Sequence, residues 1–333
     1  MKFSLKLLFR SIVGLSLIAI YIQLPVQAEQ TVLRMAHAGA PTSSQHLASL
    51  EMAKIVSKLT NGTLRIDIFP SSQLGNDAET MAEVKAGTLD MAMGGSGNFT
   101  SLAHRLAEID FPFSFQTPRH AWRELDSKYF GGMILAELAP SGVKGLVFWE
   151  LGFRLISSNK GFIKTPGDLD GLRLRVYPGQ AEYFKSLGAK TVSMPLGELY
   201  EALKADKLDA QDHPLGITYS AKLNEVQKYI TLTRHAYTAL LIGINAKRFE
   251  SLSAAHQKAL MEGLIVGRDF QRDLNSKSEA AMLADLRNKG VQVLEEIDSR
   301  PFRVLAIAQS SKYFSKELLA NSQKSNQPVA ASK

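Results

Sequence analysis

The chain contains no cysteine among its 333 residues, which excludes thiol catalysis, a disulfide framework and a lipid-modified cysteine. It also lacks the glycine-rich fingerprints of phosphate and dinucleotide sites, as well as the spacing of a serine nucleophile elbow. The seven histidines do not show the spacing of metal ligands. The sequence therefore predicts neither a cofactor nor a metal site, and it gives no support to an enzyme.

Long apolar runs are also scarce, and the one at the N-terminus has the features of a secretory signal. Three basic residues in the first ten positions precede an apolar stretch at residues 11–22, and a small-residue cleavage site follows at 26–28. An uncleaved anchor would need about 20 apolar residues, and Gln23 and Pro25 interrupt this stretch. We expect residues 1–28 to be removed after Ala28, leaving a periplasmic chain without stable membrane insertion.

The charge of the chain is mild, with 39 Lys and Arg against 32 Asp and Glu. The basic residues are scattered and are not interleaved with aromatic residues, so the sequence does not predict a nucleic-acid partner. A slight positive excess suits an anionic solute, but this observation is weak by itself.

The first half of the chain alternates between the two-residue period of strands and the longer period of amphipathic helices. This alternation predicts strands at residues 31–37, 64–68 and 89–93, with helices at 44–60 and 77–86. Such a β-α-β-α-β order is typical of an α/β fold with a mostly parallel sheet.

The second half repeats the pattern. It predicts strands and helices in the following places: strands at 143–149, 154–157, 172–176, 191–194 and 239–244, and helices at 180–187 and 197–205. The segment at 84–90 is echoed at 203–209, and each copy ends a helix that begins shortly after a strand terminated by proline. Two similar lobes are the better interpretation of this echo.

The segment at 253–289 predicts a helix of about 55 Å, at a rise of 1.5 Å per residue. A helix of that length exceeds the diameter of a small lobe. It either braces two lobes or is broken near Gly267, and the sequence does not decide between these alternatives.

The glycine-rich segment at 94–97 follows the predicted strand at 89–93. Ligands bind beyond the carboxyl ends of strands in open α/β sheets, so this segment is a candidate for close approach to a ligand. It could equally be a simple tight turn.

Arginines provide the most suggestive chemistry. Arg173 and Arg175 lie on the same face of a predicted strand, and either could be solvated. Arg154 lies in an apolar setting, where a buried guanidinium needs an anionic partner. Because the planar guanidinium can bind both oxygens of a carboxylate, Arg154 and Arg175 are candidate ligand-binding residues.

Seven stretches of the chain carry a family resemblance through their number, order and spacing. They are FPSSQLGND at 69–77, AGTLD at 86–90, FPF at 111–113, DLDGLRLRV at 168–176, LGA at 187–189, ELYEAL at 198–203 and EVQKY at 225–229. Over nearly the whole mature length the chain resembles the DctP-type substrate-binding proteins of TRAP (tripartite ATP-independent periplasmic) transporters.

This resemblance implies a type II periplasmic-binding-protein fold, in which crossing strands join two α/β lobes and a long helix spans both. Lobe I would comprise residues 29–151 and about 239–280, and lobe II 152–238 and about 281–320. Residues 321–333 form a polar, small-residue tail that we expect to be disordered. The family binds a small organic anion by lobe closure, performs no chemistry, and delivers the anion to small and large membrane permease subunits.

The resemblance also assigns roles to the arginines. Arg175 stands where the family forms a bidentate bridge to a ligand carboxylate, and Arg154 stands where a second contact is common. Arg173 is left as a solvated arginine.

Four further residues occupy pocket positions of the family: His37, Asn98, Leu196 and His213. Family members often have asparagine where His213 stands. This histidine could donate a hydrogen bond and, if protonated, add positive charge beside the carboxylate; it could instead pack at the lobe edge. The absence of charge at Gly95 and Asn98 argues against sialate.

The resulting hypothesis is a periplasmic receptor for a dicarboxylate, an oxo or hydroxy acid, or a sugar acid. A sensor that presents its solute to a signalling receptor is the alternative on the same fold. A periplasmic enzyme on a similar scaffold is the third possibility.

Overall fold

The computed structural model describes residues 30–310. The predicted signal peptide and the predicted disordered tail lie outside the described residues, as does the end of the predicted second part of lobe II.

Ten strands and eleven α-helices alternate along residues 30–310, with short 3-10 turns between some of them. The strands are β1 (Thr31–His37), β2 (Leu64–Phe69), β3 (Met91–Gly95), β4 (Val143–Ser158), β5 (Arg173–Arg175), β6 (Lys190–Val192), β7 (Ala210–Pro214), β8 (Tyr229–Thr231), β9 (Tyr237–Asn245) and β10 (Gln292–Leu294). The helices are α1 (Ser44–Leu59), α2 (Asp77–Ala86), α3 (Leu106–Asp110), α4 (Pro118–Asp126), α5 (Gly131–Ala136), α6 (Ala181–Ser186), α7 (Leu196–Lys204), α8 (Leu215–Ser220), α9 (Ala246–Ser251), α10 (Ala254–Asn288) and α11 (Arg300–Ser310).

The strands form two half-sheets that share β4. In the first, β2, β1 and β3 are parallel neighbours, and β9 joins β3 to β4. In the second, β4 pairs with β7, β7 pairs with β5, and β5 pairs with β6. Strand β8 pairs with both β4 and β10. We refer to the bodies around these half-sheets as lobe I and lobe II.

The long strand β4 corrects the sequence analysis, which predicted two separate strands at 143–149 and 154–157. Gly152 adopts a φ of +98°, and the register with β9 shifts between Glu150 and Gly152. A bulge of this kind bends a strand without ending it. Residues 150–153, between the two predicted strands, are therefore the point at which β4 passes from lobe I to lobe II.

Each lobe has its own hydrophobic core. Lobe I packs α1, α2 and part of α10 on its half-sheet, with Leu33 and Met91 fully buried. Lobe II packs α6 and α11 on one face, with Leu174 fully buried and Phe184 nearly so. Two separate cores confirm the predicted two-lobed α/β architecture.

Helix α10 is continuous over 35 residues, which decides between the two alternatives that the sequence left open in favour of the brace and against a break near Gly267. Leu260 and Leu264 lie in a core of lobe I, whereas Leu283 and Leu286 lie in a core of lobe II. The helix thus spans roughly 52 Å and ties both lobes together. No helix among the described residues has the length and apolar character needed to span a bilayer.

The internal echo marks equivalent positions in the two lobes. Asp90 follows α2 and accepts a hydrogen bond from the backbone N–H of Arg34 in β1 at 2.8 Å. Asp209 follows α7 and accepts one from the backbone N–H of Arg173 in β5 at 2.9 Å. The two copies therefore make the same connection to the neighbouring strand, which supports the predicted similarity of the lobes.

Candidate functional site

A cavity of about 340 Å³ lies between the lobes, beyond the carboxyl ends of several strands. Its polar and charged lining comes from both lobes: Gln45, Ser72, Asn76, Asp77 and Asn98 from lobe I, and Arg154, Arg175, Tyr177, Ser193 and His213 from lobe II. Leu151, Leu196 and Ile217 contribute apolar surface. The location matches the rule that ligands bind beyond strand ends in open α/β sheets.

Arg175 projects from the end of β5 into this cavity and is only 6% exposed. Its Nε and Nη2 donate to the carbonyl oxygen of Met194 at 3.2 and 2.8 Å, and its Nη1 donates to His213 Nε2 at 3.0 Å. A guanidinium has five N–H groups, so one remains on each terminal nitrogen. Burial lowers the pKa of Arg175 to about 10, which still leaves it charged at neutral pH.

His213 is held as a neutral acceptor. Its Nδ1 lies 2.7 Å from Gln211 Oε1, which can only accept, so Nδ1 carries the proton and Nε2 is free to accept from Arg175. Burial, and then the charges of Arg175 and Arg154, lower the pKa of His213 well below its ordinary value. The histidine therefore orients Arg175 and does not add the positive charge that the sequence analysis considered.

Arg154 forms the base of the cavity and is 1% exposed. Its Nε donates to Asp212 Oδ2 at 2.8 Å, its Nη1 donates to Thr238 Oγ1 at 3.0 Å, and its Nη2 donates to the Asp212 carbonyl oxygen. Burial by itself raises the pKa of Asp212, but the charge of Arg154 together with the hydrogen bonds from His235 and Arg154 outweighs burial and lowers it. Arg154 is thus charge-compensated by the protein and retains two N–H groups.

Asp77 and Asn98 form a second polar group on the lobe I side of the cavity. Asp77 Oδ2 accepts the backbone N–H of Gly95 at 3.1 Å and the side-chain N–H of Asn98 at 2.8 Å. Burial raises the pKa of Asp77, while the Gly95 amide, Asn98 and Arg175 each lower it. Asp77 lies in the family motif at 69–77, but no pattern in the sequence marks it as a site residue.

Tyr177 connects the lobes at the edge of the same cavity. Its hydroxyl oxygen accepts the backbone N–H groups of Gly97 and Asn98, the latter at 3.2 Å. A Cβ atom at Gly97 would lie 2.5 Å from a Tyr177 ring carbon, and one at Gly95 would lie 2.6 Å from the tyrosine oxygen. A tyrosine of the other lobe therefore approaches this glycine-rich segment closely, and its approach to a ligand stays a prediction.

The remaining predicted residues lie in different places. Leu196 lines the cavity. His37 lies behind the cavity wall, which Ala38 and Gly39 form; its Nδ1 accepts the Gly39 N–H at 3.1 Å. Arg173 lies outside the cavity, where it forms a salt bridge with Asp209 at 2.8 Å.

A second cavity of about 360 Å³ adjoins the first near the middle of α10. Gln45, Leu151, Arg154 and Ile217 line both cavities and separate them. Arg175 lines only the first cavity, whereas Arg154 lines both. The described residues contain no group of His, Cys, Asp or Glu side chains suited to a metal ion.

Two α/β lobes that share crossing strands, a bracing helix and an interlobe cavity with a buried arginine define a solute-binding protein of the periplasmic type. The chain belongs to the family described as bacterial extracellular solute-binding protein, family 7, the DctP family, whose sequence profile matches residues 35–317. The predicted resemblance to the DctP-type proteins of TRAP transporters is therefore confirmed.

Individual relatives agree with this assignment. The 2,3-diketo-L-gulonate-binding periplasmic protein of Escherichia coli (strain K12) is 36% identical over 272 residues, which are 81% of this chain and 83% of that protein. A TRAP periplasmic solute-binding protein from Polaromonas, bound to D-erythronate, is 28% identical with a TM-score of 0.84 and covers 91% of this chain and 100% of its own. One from Sulfurospirillum deleyianum with bound succinate is 26% identical with a TM-score of 0.82, covering 89% and 99%.

Proposed function

We propose that the protein captures a small organic carboxylate between its lobes and delivers it, chemically unchanged, to a TRAP-type secondary transporter. The observation that carries this proposal is Arg175, a buried cation in the interlobe cavity with one N–H left on each terminal nitrogen. That pair of donors suits both oxygens of a carboxylate. The relatives above, which are named for or hold an oxo acid, a hydroxy acid and a dicarboxylate, support the ligand class.

The other site residues support Arg175 in different ways in this proposal. His213 orients Arg175, and the two remaining N–H groups of Arg154 reach the ligand as a secondary contact. Asn98 and Leu196 shape the lobe I and lobe II walls, respectively. His37 acts through the loop that it supports.

The cellular setting is also part of the proposal. Cleavage after Ala28 would release the mature chain into the periplasm. Lobe I would comprise residues 29–151 and about 239–280, and lobe II 152–238 and about 281–320. The liganded form would dock on the small and large permease subunits, as membership of the family implies. Differential affinity for the closed form would couple binding to this docking.

The test is calorimetric titration of the mature protein, refolded to remove carried-over ligand, against a panel of organic and sugar acids. Arg175→Lys should weaken the binding of the preferred acid more than about tenfold, or ~1.4 kcal/mol, because lysine lacks the two-pronged donor. Arg173→Lys is the matched control, since Arg173 lies two residues away on the same strand but outside the cavity. Equal weakening by both variants, or no weakening by Arg175→Lys, would remove Arg175 from the site. Recovery of an altered acid would favour an enzyme.

A further inference from the structure

The charged residues that line the interlobe cavity are few. They are Arg154, Arg175 and Asp77. Arg154 is compensated by Asp212 at 2.8 Å, which leaves Arg175 on lobe II and Asp77 on lobe I as the charges that face a ligand. A ligand held between the lobes therefore meets a cation with one end and a carboxylate with the other.

From this arrangement, and resting on the proposed function, we propose that Asp77 selects a hydroxylated monocarboxylate over a dicarboxylate. The carboxylate of the ligand binds Arg175, and the hydroxyl groups at its far end donate to Asp77.

The Asp77 end of the cavity offers acceptors to the ligand. Asp77 Oδ2 takes the N–H groups of Gly95 and Asn98, while Oδ1 accepts no hydrogen bond from the described residues. Because the side-chain N–H of Asn98 is directed to Asp77, the Asn98 amide oxygen remains available as an acceptor. Two acceptor oxygens suit ligand hydroxyls, which can donate, and do not suit a second carboxylate, which cannot.

The nearby N-terminus of α2 does not reverse this preference. Asn76 Oδ1 accepts the backbone N–H groups of Ala78 and Glu79 at 3.0 and 3.1 Å. The Glu79 side chain in turn accepts the Asn76 N–H at 2.9 Å. This reciprocal capping uses three of the backbone donors that would otherwise attract an anion.

Charge leads to the same conclusion. A monocarboxylate adds one negative charge to a cavity whose Arg175 and Asp77 balance each other, whereas a dicarboxylate adds two. The second carboxylate would lie beside Asp77, away from bulk water, where repulsion between like charges is strong. The solved relatives include one with D-erythronate and one with succinate, so the comparisons leave this choice open.

The decisive experiment compares acids that differ only at the far end. D-Erythronate and meso-tartrate have the same carbon chain and internal hydroxyls, and differ in a terminal CH₂OH or carboxylate; D-galactonate and galactarate form the corresponding six-carbon pair. We expect the wild-type protein to bind the monocarboxylate of a pair at least tenfold more tightly in calorimetric titration. Asp77→Asn, which keeps the size and the acceptor oxygen, should reduce that ratio at least fivefold, mainly by tighter binding of the diacid.

Glu83→Gln is the matched control, because Glu83 lies on the exposed face of the same helix and should leave the ratio unchanged. Thermal unfolding of each variant verifies that it is folded. A wild-type preference for the diacid, or an unchanged ratio in Asp77→Asn, overturns the inference. Binding of neither pair also rejects it; the proposed function then survives if succinate or another carboxylate binds in an Arg175-dependent manner, and fails if none does.

Discussion

At the residue scale, the two buried arginines of the cavity differ in how the protein compensates their positive charge. Arg154 has Asp212 as a counterion, whereas Arg175 is held by neutral acceptors, and no described carboxylate lies within salt-bridge distance of it. Burying a cation without an anion is unfavourable. In the proposed function, the ligand carboxylate supplies the counterion that the protein does not provide for Arg175.

At the same scale, the burial of Asp110 predicts how the free energy of unfolding depends on pH. It is fully buried, accepts the Ser96 hydroxyl at 2.7 Å, and has a pKa raised to about 7 by burial. The unfolded chain ionises near pH 4, so the burial of Asp110 lowers the free energy of unfolding progressively as the pH rises from about 4 to 7, and the full cost is present above pH 7.

Asp110→Asn should therefore raise the free energy of unfolding at pH 8 by about 2 kcal/mol more than it does at pH 5.5, because the cost of ionisation grows over the roughly 1.5 pH units between pH 5.5 and the folded-state pKa. Urea denaturation at the two pH values measures the difference, with Glu83→Gln as an exposed control. A gain of the same size at both pH values would show that ionisation of Asp110 is not its cause.

At the element scale, β4 and α10 both pass from one lobe to the other, and glycines set their geometry. Gly152 allows the bulge in β4. Gly263 and Gly267 let α10 approach the sheet and α1 closely: a Cβ at Gly267 would lie 2.5 Å from Trp149 Cζ2. Trp149 is fully buried and donates its Nε1–H to the Leu264 carbonyl at 2.9 Å, so it has little freedom to withdraw.

Gly267→Ala should consequently destabilise the protein even though alanine is the better helix former. Overpacking costs about 1–3 kcal/mol against a propensity gain of about 1 kcal/mol, so we expect a net loss of roughly 1 kcal/mol in urea denaturation. Gly197→Ala is the control, because its Cβ would meet no atom within 4 Å in α7. Stabilisation by Gly267→Ala equal to that of the control would contradict the close contact with Trp149.

At the scale of the whole molecule, the lobes meet where Tyr177 of lobe II accepts backbone N–H groups from lobe I. Lobe II adds a second contact through Gln180, whose side-chain N–H donates to the Asp110 carbonyl. Gly95 and Gly97 make this approach possible, since a side chain at either position would collide with Tyr177.

Gly97→Ala should therefore impair closure and leave each lobe folded. The added methyl would lie 2.5 Å from the Tyr177 ring, while the backbone at Gly97 does not need a positive φ. We expect at least tenfold weaker ligand binding in calorimetric titration and a larger radius of gyration in small-angle scattering at saturating ligand. Gly197→Ala should behave as the wild type. An unchanged affinity in Gly97→Ala would mean that the Tyr177 contact is not needed in the liganded form.

Local patterns determined much of this protein. The two- and 3.6-residue periods identified most strands and the main helices, and the echo at 84–90 and 203–209 indicated two similar lobes. The two-residue period alone placed Arg173 and Arg175 on one face of β5, yet only Arg175 lines the cavity, because Asp209 forms an ion pair with Arg173 outside it. The resemblance to the family, which rests on sequence motifs, had already assigned the ligand contact to Arg175 and a solvated position to Arg173.

Contacts between distant residues were decided only by the tertiary structure. The hydroxyl of Tyr177 meets an amide 80 residues earlier in the chain, and His213 is neutral because it is buried and accepts from an arginine 38 residues away. Asp77 became a site residue only when folding brought the N-terminus of α2 opposite β5. Periodicity reports which face of an element is buried, whereas the charge, tautomer and partners of a polar side chain depend on groups that the sequence leaves far apart.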